Sequence, residues 1–104
     1  MNIIKGATPD LVFTFADYDP TEADKIILSL STDGENPIME KTEEDMTVTS
    51  ESIGLYLTQE ETLSFPVGVM YGMFNFVYAN GERIPSDNFS FRWKPNMHNE
   101  VIEP

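Results

Sequence analysis

A chain of 104 residues, 40 % of them hydrophobic, is long enough for one core and too short for two, so residues 1–104 are expected to form a single domain. Eighteen acidic residues against six basic ones give a net charge of −12, which disfavours nucleic acid as a partner because phosphates need Lys and Arg to neutralise them. The absence of cysteine excludes disulfides and cysteine–zinc centres.

The N-terminus, Met1-Asn2-Ile3-Ile4-Lys5-Gly6, has no apolar signal core, and no run approaches the ~18 apolar residues of a membrane span. Synthesis in the cytoplasm without an export signal, and no membrane partner, are the expectations. Leu11, Phe13 and Phe15 alternate with Val12, Thr14 and Ala16, a strand pattern that ends at Asp17-Tyr18-Asp19-Pro20. A second strand over residues 25–31 puts Ile26, Leu28 and Leu30 on one face. Asp33-Gly34 marks a turn. Short strands follow at 38–41, 46–49 and 53–57, with Glu43-Glu44-Asp45 as a turn between the first two. Thr58 and Glu61 have the spacing of a capping box, so one or two helical turns are expected over 58–63, stopped by Pro66.

Residues 69–79 form the longest predicted strand, and Asn80-Gly81 is the strongest hairpin signal in the chain. Pro85 in the return strand, 82–94, implies an edge or a bulge. A two-residue turn at Asn80-Gly81 pairs Phe76 with Pro85, Gly72 with Phe89 and Met70 with Phe91. That register gathers Phe74, Phe76, Phe89, Phe91 and Trp93 on the core face. It places Tyr71, Met73, Val77 and Ile84 together on the outer face as a candidate protein-interaction surface. The rest of the expected core is Phe13, Phe15, Ile26, Leu28, Leu30, Leu55 and Leu57. About seven short strands separated by turns, with one helical turn, read as an all-β, immunoglobulin-like antiparallel β-sandwich.

Catalytic chemistry is hard to assemble from these residues. The single histidine, His98, sits near the C-terminus with nothing to place a nucleophile beside it. Asp17, Asp19, Glu22 and Asp24 are the densest set of oxygen ligands. They lack the EF-hand spacing and its central glycine, so a solvated loop is expected there ahead of a calcium site. No enzyme activity, cofactor, metal or small-molecule substrate is expected. Solubility accounts most simply for the acidic charge, ahead of a basic protein partner, while DNA mimicry is disfavoured because the acids fall in separate loops.

Three stretches carry a resemblance. Gly6-Ala7-Thr8-Pro9 runs into the strand Leu11-Val12-Phe13-Thr14-Phe15. Leu57-Thr58-Gln59-Glu60-Glu61-Thr62-Leu63 follows a mid-chain strand, and Tyr78-Ala79-Asn80-Gly81 opens a hairpin that leads on to Glu100-Val101-Ile102. In that order they resemble small uncharacterised β-sandwich proteins encoded among the structural genes of phages and prophages of Gram-positive gut bacteria. Ile84-Pro85 departs from that pattern, because strand residues without proline would stand there. The resemblance implies a non-enzymatic structural or interaction module of a bacteriophage particle, associated with the tail or baseplate, or with its assembly. Its partners would be other virion proteins or a second copy, and the virion its destination. A carbohydrate-binding module on the same scaffold is the alternative, which a solvent-facing Trp93, or Tyr56 beside Tyr71, would favour.

Overall fold

The computed structural model describes residues 1–16 and 19–104. It is a β-sandwich. Strands β1 (Asn2–Ile4), β3 (Lys25–Ser31), β4 (Pro37–Thr42), β7 (Gly68–Val77), β8 (Arg83–Pro85) and β9 (Phe89–Lys94) form one sheet, in the order β1-β9-β7-β3-β4, with β8 also on β7. Strands β2 (Asp10–Thr14), β5 (Met46–Val48) and β6 (Ser52–Tyr56) form the second sheet, in the order β2-β6-β5. This is the immunoglobulin-type order, in which the chain switches sheets between β1 and β2, between β2 and β3, between β4 and β5, and between β6 and β7. All pairings are antiparallel except β1 on β9. No helix among the described residues is long and apolar enough to cross a membrane.

Alternation builds the core. Ile26, Leu28 and Leu30 stand opposite Phe76, Phe74 and Gly72, and all five side chains are buried. Leu11 and Phe13 stand opposite Leu55 and Ile53 in the facing sheet. The ring of Phe13 meets Phe74 edge-on at 5.0 Å and tilts against Phe89 at 4.7 Å, so aromatic contacts knit the two sheets. Trp93 is fully buried, donates its Nε1–H to the Met70 sulfur at 3.3 Å and stacks obliquely on Phe65. The expected core is thus present, with Phe13, Phe15 and Phe89 half-buried at its margin and Ile3, Leu11, Ile53, Phe65 and Met70 added to it.

The helical turn is α1 (Gln59–Ser64), which carries the chain from β6 to β7. Its capping box is complete. The Glu61 amide donates to Thr58 Oγ1 at 3.2 Å and the Thr58 amide donates to Glu61 Oε1 at 3.0 Å. Thr62, buried on the inner side of α1, accepts from the Gly6 amide and donates to the Ala7 carbonyl. That tether holds the segment between β1 and β2 against the bottom of the sandwich. Two 3-10 turns, Pro20–Glu22 and Glu43–Asp45, complete the helical content of the described residues.

The structure corrects the hairpin. Phe76 stands opposite Ile84 and Val77 opposite Arg83, one residue from the register that a two-residue turn would give. The loop has three residues, closed by Gly81 N–H to Tyr78 O and Tyr78 N–H to Glu82 O, both 2.9 Å. Gly81 takes φ +86°, whereas no non-glycine among the described residues has a positive φ. A type I′ turn needs positive φ at Asn80 as well, so the chain uses a type I turn with a left-handed glycine behind it. Beyond Pro85 the strand bulges, and the pairs Gly72–Phe89 and Met70–Phe91 return to the expected register. The extra residue of the loop is absorbed by the bulge.

Candidate functional site

The register decides which side chains share the outer face of the larger sheet. Val69, Tyr71, Met73, Asn75 and Val77 of β7 alternate away from the core, and each side chain stays partly open to solvent. Tyr71, Met73 and Val77 are therefore where the sequence puts them. Ile84 is not, because it opposes Phe76 and lies on the core side of the sheet. Asn75 interrupts the patch between Met73 and Val77, and Arg83 Nε donates to its Oδ1 at 3.1 Å. The four-residue surface thus reduces to a Tyr71–Met73 patch, with Val77 and Ile27 set apart beyond Asn75.

Tyr71 and Met73 form one wall of a shallow groove of about 160 Å³, with Pro37, Gly34, Ser29 and Ser31 across it. The loop from β3 to β4 shapes the far wall. Its turn is held by Asp33, whose carboxylate accepts from Ser31 Oγ, from the amides of Glu35 and Asn36, and from Asn36 Nδ2. The Asn36 amide is foremost among these donors in holding the Asp33 carboxyl well below the usual carboxylate range. Gly34 adopts φ +81° there, a conformation that side chains resist.

Charge on this face runs against the whole molecule. Lys25 and Arg83 oppose Val77, Arg92 opposes Val69 and Lys94 opposes Ile4. Four of the six basic residues thus lie on the outer face of one sheet in a chain of net charge −12. A fifth, Lys41, pairs with Glu61. The groove is apolar at Tyr71, Met73 and Pro37 and carries Glu35 in its lining, while the basic residues stand elsewhere on the same sheet face.

The other candidate features are placed as follows. Asp19 accepts from the amide and hydroxyl of Thr21, capping the turn Pro20–Glu22. Asp17 lies outside the described residues, and among those described no group of three His, Asp or Glu could hold a metal ion. Tyr78, at the same end of the sandwich, has its phenol pushed up by burial and by the charges of Glu22, Glu82 and Asp19. His98 is exposed in the C-terminal segment. Trp93 is buried, and Tyr56 stands 53 % exposed on the outer face of the smaller sheet, opposite Asp10, whereas Tyr71 lies on the other outer face. The aromatic pairing that a sugar-binding face would use is therefore divided between the two sides of the molecule.

Neither a family model nor a curated protein matches the chain. Among solved structures, the crystal structure of CopC from Methylosinus trichosporium OB3b is similar over 93 % of this chain and 85 % of that one, with a TM-score of 0.56 and 13 % sequence identity. At that identity the likeness shows the sandwich fold alone.

Proposed function

We propose that the chain is a non-catalytic interaction module of a bacteriophage particle or of its assembly, working through protein–protein contacts on the outer face of its larger sheet. The observation that carries the interaction reading is the apolar Tyr71–Met73 groove on a sheet face that also bears four basic residues. Tyr and Met are enriched at the centres of protein interfaces, and Met reshapes to fit its contacts. The basic residues of the face suit a partner with acidic side chains flanking an apolar centre. The phage context rests on the sequence resemblance. A sugar-binding role draws no support from the positions of Trp93, Tyr56 and Tyr71.

The test is incorporation. Met73→Lys leaves the core untouched and places a charge in the groove. The variant should melt within a few degrees of wild type and be depleted at least about tenfold from purified particles or assembly intermediates of the encoding phage, the loss expected for spoiling one central contact. Wild-type chain missing from particles and intermediates alike, or Met73→Lys incorporated at the wild-type level, would overturn the proposal.

A further inference from the structure

The edges of the two sheets are not equally protected. Strand β4 begins at Pro37, carries Glu40 and Lys41, and slips register against Leu30 and Ser31. Strands β1, β5 and β8 have three residues each, and β8 ends in Pro85. Proline, charge, irregularity and shortness are the devices that keep edges from pairing with other chains. Strand β2 has one charge, Asp10 at its first position, and none of the other devices. Its five residues, Asp-Leu-Val-Phe-Thr, run without proline, basic residue or bulge, and among the described residues β6 is their only neighbour.

Hydrogen-bond parity shows what that edge offers. The Phe15 amide donates to the Glu51 carbonyl at 2.8 Å and the Leu57 amide to the Pro9 carbonyl at 3.3 Å. Leu11 and Phe13, opposite Leu55 and Ile53, belong to the same bonded series. The amides and carbonyls of Asp10, Val12 and Thr14 must then point to the open side, because directions alternate along a strand. Beside them runs a groove of about 460 Å³ between the sheets, floored by Phe13, Phe15 and Phe74 and closed by Ser86 and Asp87. Val12 itself is 67 % exposed.

We propose that β2 is the homodimer edge of this protein, pairing antiparallel with β2 of a second copy about a two-fold axis through Val12. The edge is self-complementary in that register. Val12 faces its own copy, and Asp10 faces Thr14, so the carboxylate meets a hydroxyl donor and no like charges oppose. On the core side Leu11 faces Phe13, extending the apolar floor of the groove from one copy to the other. About six backbone hydrogen bonds would join the copies, and the two smaller sheets would become one six-stranded sheet. A two-fold contact of this kind closes on itself and does not propagate into a fibre. The second copy is favoured over an unrelated strand because the edge supplies both halves of each pair itself.

Sedimentation equilibrium at about 100 µM suits a contact smaller than the standard protein interface. The wild type should be dimeric. Val12→Pro removes an amide that bonds nothing within the monomer, and Val12→Lys puts a charge at the centre of the edge. Both should weaken dimerisation at least about tenfold, and Val12→Lys keeps the test sound if proline unfolds the chain. The absence of native cysteine allows a direct check. Val12→Cys should be joined into a covalent dimer by a short bismaleimide, whereas Thr47→Cys, on the far strand, should not. Met73→Lys should leave the dimer intact, which separates this edge from the outer-face groove. A wild type that stays monomeric, a dimer indifferent to both Val12 variants, or a dimer lost in Met73→Lys and kept in Val12→Lys would each overturn the proposal.

Discussion

At Gly72 a single missing methyl group shapes the core. Phe89 stands directly opposite on β9, and a Cβ built at Gly72 would lie 2.3 Å from the ring. The far end of the ring sits against the glycine, and the ring also meets Phe13 and Phe91. Glycine in a strand interior usually weakens it, and close approach by a neighbour is the reason to keep one. The conformation is open to any residue, since Gly72 does not have a positive φ; only space is at issue. Gly72→Ala should therefore cost about 1–3 kcal/mol, the range for overpacking a filled core. Gly72→Ala with Phe89→Leu should recover part of the loss in urea unfolding. A Gly72→Ala protein as stable as wild type would mean that the Phe89 ring swings aside freely. The sequence allowed close packing at Gly72, but only the pairing with Phe89 says what packs there.

Strands were legible where the signal is local. The alternation of β3 and the capping box of α1 match the structure, because both depend on spacings within a few residues. Non-local features were not. Strand β1 has three residues and exists only because β9 accepts it in parallel, which no pattern near Asn2 can reveal. At the hairpin, Asn-Gly suits two loops that differ by one residue, and that residue moved Ile84 from the outer face to the core side. Alternation along β7 placed Tyr71, Met73 and Val77 correctly, since it does not depend on the turn. The bulge after Pro85 makes a prediction of its own. The Ser86 amide donates to the Phe74 carbonyl at 2.8 Å, and Ser86 Oγ accepts from the Phe74 amide at 2.9 Å. A side chain thus replaces a ladder bond that proline and the bulge would otherwise leave open. Ser86→Ala should cost about 1–3 kcal/mol by stranding a partly buried amide, and the Phe74 amide should exchange with deuterium much faster. Unchanged exchange at Phe74 would show that the amide finds another acceptor.

Over the whole molecule, acidity and architecture pull in opposite directions. A net charge of −12 destabilises the compact state by self-repulsion, so protonating exposed carboxylates from pH 7 toward pH 5 should raise stability or leave it level. Glu61 works the other way. It caps α1 and also pairs with Lys41 of β4, tying the connection between β6 and β7 to the edge of the larger sheet. Burial raises its pKa, but the bond to Lys41, the Thr58 amide and the Lys41 charge outweigh that and hold it below the ordinary value. A carboxyl whose pKa is depressed by folding contributes stability above its unfolded pKa of about 4.3, and the contribution is lost as pH falls through the lower folded value. Asp33 is depressed as well, so some acid sensitivity should persist without Glu61. Glu61→Gln should thus melt below wild type at pH 7, and the gap should narrow as pH falls below about 4.3 and through the lower folded value, where Glu61 loses its charge too. Because both partners of the pair are largely covered, with side-chain exposures of 17 % and 19 %, the gap at pH 7 should survive 0.5 M NaCl better than a surface ion pair would. Melting curves across pH 3–7 decide the matter. A gap of constant size at every pH would show that Glu61 acts through its shape in the capping box and that its charge contributes nothing to holding the two sheets together.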